Sequence, residues 1–248
     1  MRYTSLGHSG IEVSRLCLGG MSFGEASPDF HQWTIGPDDT RAVIARALDA
    51  LVRTGKVRAL GASEMYAYQL HNLQVIAEQN GWTKFTSMQC HYNLLYREDE
   101  REMIPVCRQY DMALTPYSPM ASGHLCRPTW DCDSKRSTTD TTMVNKYDRD
   151  RAIDMPIIER VAKVAANHGV PMAQVALAWH WARGVESPIV GCSSPARVDD
   201  AVAALDVTLS PEELDFIEEP YQPHALVGPK GRPVEKPLAG TTNVKLTR

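Results

Sequence analysis

The sequence predicts an α/β protein in which parallel strands are joined by crossover helices. Three observations carry this. Strand-like and helix-like segments alternate with short links from residue 39 to the helix that starts at Ser210. The helical segments repeat their apolar residues with a 3.6-residue period. A pair of short strands around His8-Ser9-Gly10 precedes the alternation, as a hairpin with a Gly-containing turn. A doubly wound sheet and a β/α barrel both satisfy this order.

The elements follow in turn. Residues 3–15 form the hairpin, and Leu16-Cys17-Leu18-Gly19-Gly20 is a short apolar strand ending in glycines. Residues 39–54 read as a helix, with Val43, Ile44, Ala47, Leu48, Leu51 and Val52 on one face. Asp38 or Asp39 suits its start and Gly55 its end. Strands at 57–62, 85–89 and 112–115 alternate with helices at 68–80 and 98–110. Helices at 155–168 and 172–183 precede a strand at 188–191 and a helix at 194–205. Ser210-Pro211-Glu212-Glu213 opens a last helix, with serine as cap and proline in the first turn. Residues 127–154 read as one long polar loop without apolar period. Residues 221–248, rich in Pro, Gly and Lys, read as an extended surface tail. Residues 1–220 are expected to form a single domain.

Composition narrows the function without naming it. The 248 residues are 43% hydrophobic and 23% charged, with a formal net charge of -4. That is too apolar for disorder, and no apolar run approaches the ~20 residues needed to span a bilayer. The mild negative charge argues against a nucleic-acid partner. Met1-Arg2-Tyr3-Thr4 leads straight into strand-like sequence, so a cytoplasmic protein is expected. The six cysteines match no zinc spacing, and disulfides are not expected in that compartment. Cys17, Cys107 and Cys192 lie in apolar or strand-like contexts and read as small buried hydrophobes. No G-x-G-x-x-G follows a strand, and no G-x-S-x-G, H-E-x-x-H or Walker loop occurs.

Five segments carry a resemblance. They are L-G-x-S-G-I-E-V-S-R-L-x-L-G-G-M-S-F-G at 6–24, G-K-V-R-A-L-G-A-S at 55–63, S-M-Q-C-H-Y-N-L-L-Y-R at 87–97, P-Y-S-P-M-A-S-G-H-L at 116–125 and P-I-V-G-C-S-S-P-A-R-V at 188–198. In content and order they resemble the aldo/keto reductases, most closely the aryl-alcohol-dehydrogenase-like members. The resemblance implies a TIM (β/α)8 barrel, plugged at one end by a hairpin, that binds NADP(H) at the C-terminal strand ends. It also implies hydride transfer between the nicotinamide and a small carbonyl or alcohol substrate. A tyrosine then serves as proton donor, helped by an aspartate, a lysine and a histidine.

The chain departs from that pattern at Ala50-Leu51. There the front of the first family helix runs directly into words that resemble the end of the fourth helix and the start of the fifth strand. The segments that carry the Asp, Tyr, Lys and His are absent, so no catalytic residue is assigned. Three missing β/α units amount to about 90 residues. The expected fold is therefore an incomplete, barrel-derived one, with about five parallel strands plus the hairpin. Five strands do not readily close an eight-stranded circuit, which leaves open edges through which the chain could form homo-oligomers.

The cofactor half is retained by the same resemblance. Gly20 and Met21 would lie beside the nicotinamide ribose, or else simply form a tight turn. Ser63 and Gln89 match the residues that hold the carboxamide, and position 64 is Glu where the family commonly has Asn or Ser. Tyr117 matches the aromatic platform for the nicotinamide, with a core tyrosine as the alternative. Ser118, Pro119, Met120 and Gly123 would line the pyrophosphate, although Ser122 stands where an arginine is usual. Gly191, Ser193, Ser194 and Arg197 match the loop and helix start that grip the adenosine 2'-phosphate, with Arg197 as an exposed helix charge on the plainer reading. Ala201 stands where the family often has Asn. His91 reads as a hydrogen-bonded structural residue, and Trp33 and Trp130 as packing or pocket-lining residues. Besides an impaired reductase, a catalytically inactive cofactor-binding or subunit-interaction protein and a truncated gene product remain as alternatives.

Overall fold

A computed structural model describes residues 3–15, 17–18, 53, 58–131, 146–192 and 195–227. The helix expected at 39–54 apart from residue 53, the junction at 50–51, Gly20, Met21, Trp33, Ser193, Ser194, residues 132–145 of the polar loop and residues 228–248 lie outside these.

Two strands, β1 (Tyr3–Ser5) and β2 (Glu12–Ser14), form the expected antiparallel hairpin, with Thr4 opposite Val13. Its turn is a 3-10 segment, Gly7–Ser9, closed by Gly10 at φ 70°. Gly7 is required by proximity as well as by its φ of 53°. A Cβ there would lie 2.7 Å from the Thr86 carbonyl oxygen and 2.5 Å from that of Asp111. Those two residues sit at the entry of the next strands, so the hairpin covers the N-terminal end of the sheet.

The remaining strands are β3 (Cys17–Leu18), β4 (Leu60–Ser63), β5 (Phe85–Gln89), β6 (Ala113–Leu114) and β7 (Ile189–Val190). β4, β5 and β6 pair in parallel in that order, and β3 pairs in parallel with β7. Ser187 N–H donates to Leu114 O at 3.2 Å and Ile189 N–H to Pro116 O at 2.8 Å, which joins β6 to β7. The order is thus β4, β5, β6, β7, β3. Five parallel strands form an arc, and among the described residues the barrel is not closed.

Helices α1 (Ala67–Gln79) and α2 (Met103–Gln109) make the crossovers from β4 to β5 and from β5 to β6. α3 (Arg151–His168) and α4 (Met172–Ala182) lie between β6 and β7, and α5 (Pro195–Ala203) and α6 (Pro211–Glu218) follow β7. α6 starts as its sequence demands. Ser210 Oγ accepts from Glu213 N–H at 3.2 Å, while Ser210 N–H donates to Glu213 Oε2 at 2.9 Å. α4 is buried on nearly all sides, and its Trp179 sits in the core with Met88, Leu95, Ile157 and Ile158. No described helix is long and apolar enough to cross a membrane.

The structure corrects three expectations. α3 begins at Arg151, so residues 151–154 leave the polar loop. The core-facing stripe runs Asp154, Ile157, Ile158, Val161, Val164 and Ala165, and its first position is a carboxylate, which hides the apolar period. The helix read at 98–110 splits into a 3-10 turn, Glu98–Glu100, and α2, because Glu98 and Asp99 are buried as polar anchors rather than exposed. Residues 221–227 lack regular structure as expected, yet they dock instead of trailing over the surface. Tyr221 O–H and His224 N–H both donate to Glu98 Oε1 at 2.8 Å, and His224 Nε2 meets Asp154 Oδ1 at 3.0 Å. Cys107 is buried as expected, whereas Cys192 is only half-buried, and both are free thiols.

Two predictions follow from this packing. Gln74 is buried at 0% exposure, and its amide both donates to Phe85 O and accepts from Phe85 N–H, each at 2.9 Å. Gln74→Leu leaves both strand groups unpaired and should cost about 2–4 kcal/mol in urea denaturation. The second concerns the docked tail. Burial disfavours a charged His224, but the hydrogen bond and charge of Asp154 outweigh it and hold the imidazole pKa above its ordinary value. The folded state therefore binds this proton more tightly than the unfolded state does. Stability from the pair is full below pH ~6.5 and is lost as pH rises through the raised folded pKa. His224→Gln should flatten the fall in urea midpoint between pH 6 and pH 8.5, whereas a slope equal to wild type would show the pair is not its source.

Candidate cofactor-binding site

The site is built where β4, β5 and β6 end. Ser63 closes β4 and pairs in register with Gln89, the last residue of β5. Ser63 Oγ lies 3.3 Å from both the backbone oxygen and Oε1 of Gln89, to which it donates. Glu64 N–H adds a 3.1 Å bond to Gln89 O. The β5–β6 ladder continues beyond the strands, because Tyr117 N–H donates to Cys90 O at 3.0 Å and His91 bridges to Tyr117. One serine hydroxyl, one amide and one phenol ring are thereby brought to adjacent strand ends.

Alternation along an extended chain places Gln89, His91 and Asn93 on one side. His91 stacks between Tyr96, at 4.3 Å, and Tyr117, at 5.0 Å and 12°. Its Nε2 is 2.8 Å from Tyr147 Oη. Asn93 Nδ2 donates to Tyr147 Oη at 3.1 Å and to Ser118 O at 3.0 Å. His91 is thus hydrogen-bonded, as expected from sequence. Burial first, then the negative charge of Glu64, hold the Tyr117 phenol far above its ordinary pKa, so the hydroxyl stays protonated. Lys146 Nζ lies 3.3 Å from that hydroxyl and 4.3 Å from the ring centroid.

The segment after Tyr117 is strained. Ser118, Ala121 and Ser122 have φ of 53°, 47° and 55°, and Gly123 has 103°. Non-glycine residues in this region cost of order 1–3 kcal/mol each, and such strain collects at binding sites. Pro119 is buried, and its carbonyl oxygen lies 3.2 Å from His180 Nε2. Burial pushes the His180 pKa down to about 4, so the imidazole is neutral at pH 7. Met120 packs against the core. Pro119 and Met120 therefore anchor the loop to the core, while Ser118 and Gly123 are half-buried. Arg127 donates to Gly123 O and Trp130 O, each at 3.0 Å, and its Nε is buried without a hydrogen bond. Trp130 is a packing residue, stacked on His124 at 4.2 Å.

Gly191 follows β7 at the same end of the arc, and Arg197 is exposed in the first turn of α5. Ala201 is buried, so that face of α5 packs inward. The residues present fit a nicotinamide cofactor at one end: paired polar side chains stand beside an aromatic ring, and a guanidinium with an unused buried N–H stands beside the strained loop. Sequence reasoning missed Lys146, Tyr147 and Arg127. The first two lie in polar sequence without period, and Arg127 lies five residues beyond the position where an arginine is usual. Asn93 had a signal in the two-residue spacing from Gln89 and His91.

The profile of the Aldo/keto reductase family matches residues 27–222. The versiconal hemiacetal acetate reductase of Aspergillus parasiticus is 46% identical over 187 residues, covering 75% of this chain and 54% of that protein. The aldo-keto reductase AMT2 of Alternaria alternata is 46% identical over 189 residues, covering 76% and 49%. A Saccharomyces cerevisiae protein named after aryl-alcohol dehydrogenases is 43% identical over 180 residues, covering 73% and 52%. The chain spans about half the length of the curated relatives it matches. With its parallel β/α arc, its hairpin at the N-terminal end and its polar and aromatic strand ends, the chain belongs to the aldo/keto reductase family.

Proposed function

We propose that this chain is an aldo/keto reductase domain that recognises NADP(H) and interconverts carbonyls and alcohols weakly or not at all. The observation that carries the first half is the convergence of Ser63, Gln89 and Tyr117 on three adjacent strand ends. Ser63 and Gln89 offer a hydroxyl and an amide to a carboxamide, and Tyr117 offers a ring face. Arg127 and the strained 118–123 loop offer donors to a pyrophosphate, and Gly191, Ser193, Ser194 and Arg197 to a 2'-phosphate. A bound nicotinamide supplies or accepts hydride. The substrate class follows the names of the relatives, a hemiacetal acetate reductase and aryl-alcohol dehydrogenases. A cytoplasmic setting suits the free thiols of Cys107 and Cys192.

The second half rests on what is missing from the sequence. In our reading the second to fourth β/α units are deleted at Ala50-Leu51, and with them the proton donor and its partners. The strand order supports this reading, since β3 lies beside β7 and β4 stands at the other end of the arc. The same ends favour a second reading, in which the chain is an inactive NADP(H)-binding subunit that pairs sheet edges in a homo-oligomer.

Two outcomes are expected. NADPH should bind in a fluorescence titration, and Tyr117→Ala should weaken it about tenfold through loss of stacking. Undiminished binding by that variant would remove Tyr117 from the site. Reduction of 4-nitrobenzaldehyde should run at least about a hundredfold below the ~10⁴ M⁻¹s⁻¹ of slow ordinary enzymes, since acid catalysis contributes 10²–10⁴-fold. A normal rate would overturn the impairment.

A further inference from the structure

The Tyr117 ring is already engaged by a cation. Lys146 Nζ stands 4.3 Å from its centroid and 3.3 Å from its hydroxyl, while His91 stacks on the same ring at 5.0 Å. A cation over a tyrosine face is attracted by the negative face of the ring. The surroundings strengthen this attraction. The negative charge of Glu64 acts on the Tyr117 hydroxyl and, after burial, helps to hold its pKa up. Glu64 holds that position at φ 39°, a left-handed backbone that a non-glycine residue adopts only where its surroundings impose it. A planar ring that stacks on Tyr117 competes with the ammonium already over that ring.

We infer that Tyr117 and Glu64 form a binding site for a cationic ring, which Lys146 fills until the ligand arrives, and that the chain therefore prefers the oxidised, pyridinium form of the nicotinamide cofactor to the reduced form. This rests on the proposed reading of Tyr117 as the nicotinamide platform. The two redox forms differ at the ring by one positive charge. Both must displace the Lys146 ammonium, whose four-carbon stem lets it swing aside. Only the oxidised ring replaces the cation that was lost and again balances Glu64. The reduced ring leaves the carboxylate with a neutral neighbour. A cation–π contact corresponds to about two- to thirtyfold in affinity, depending on desolvation. Lys146, once displaced, repels the oxidised ring but not the reduced one, so it moderates the preference that Glu64 creates.

The test compares dissociation constants of NADP+ and NADPH by isothermal titration calorimetry at pH 7.5, on folded protein verified by thermal melting. Wild type should bind NADP+ at least about threefold more tightly. Glu64→Gln should bring the ratio of the two constants toward one. Lys146→Met should tighten both forms, NADP+ more than NADPH. Equal affinities in wild type, tighter NADPH, or a ratio unmoved by Glu64→Gln would each overturn this inference while leaving the cofactor site standing. Absence of binding by both forms, in wild type and in Lys146→Met alike, would overturn the cofactor reading itself. The wild-type ratio decides the matter even if Glu64→Gln does not fold.

Discussion

The pairing of the Gln74 amide with the backbone of Phe85 is the contact on which the arc depends. Most of the parallel strands are very short, and β3, β6 and β7 contribute two residues each. β5, with five residues and partners on both sides, is the member that holds the others in register. Its entry needs a fixed position, and Gln74 supplies it from the buried face of α1. The amide mimics a neighbouring strand, accepting from one backbone group and donating to the other. The same Nε2 reaches Met112 Sδ at 3.1 Å, next to the start of β6. One side chain thus sets the height of α1, β5 and β6 together, and with it the height of their C-terminal ends.

At those ends the fold relies on buried polar groups that satisfy one another. Glu218 from α6 pairs with Arg97 at 2.9 Å and accepts from Trp179 Nε1 at 2.6 Å, joining α6, α4 and the turn after β5. Glu98, one residue on, receives Tyr221 and His224 from the tail. Breaking one partner of such buried pairs leaves an uncompensated charge, which is costly even where the pair itself adds little net stability. These pairs fix which loop lies over which strand end. That placement brings His91, Tyr117 and Tyr147 together, and it turns residues 221–227 from a tail into part of the wall.

Much of this was legible in the sequence, and the failures share one cause. β5 was read at its true bounds, because Phe85–Gln89 is a short run between turn signals. The helix at Ser210 was read from a cap and a proline alone. α3 was read four residues late because Asp154 occupies a core-facing position, and the helix at 98–110 was read as continuous because Glu98 and Asp99 looked like a solvated first turn. In each case a buried carboxylate carried the signature of an exposed one. Apolar periodicity reports burial only when the buried residue is apolar. The site shows the same division. Ser63, Gln89 and Tyr117 were found through their motifs, while Lys146 and Tyr147 come from polar sequence whose place in the fold no local pattern encodes.

The sequence by itself determined the family, the order of strands and helices, the hairpin and the residue types at the strand ends, because each is written in local periodicity, turn chemistry or motif. Only the tertiary structure decided that β6 joins β7 and so places β3 and β4 at opposite ends of an arc. It alone decided that the tail docks on Glu98 and Asp154, and that an ammonium rests on the Tyr117 ring beside Glu64. The physical reason is that these are pairings between groups as many as 126 residues apart. Their energy comes from burying complementary charge and hydrogen-bonding groups in one place, and a single chain segment carries only one half of each.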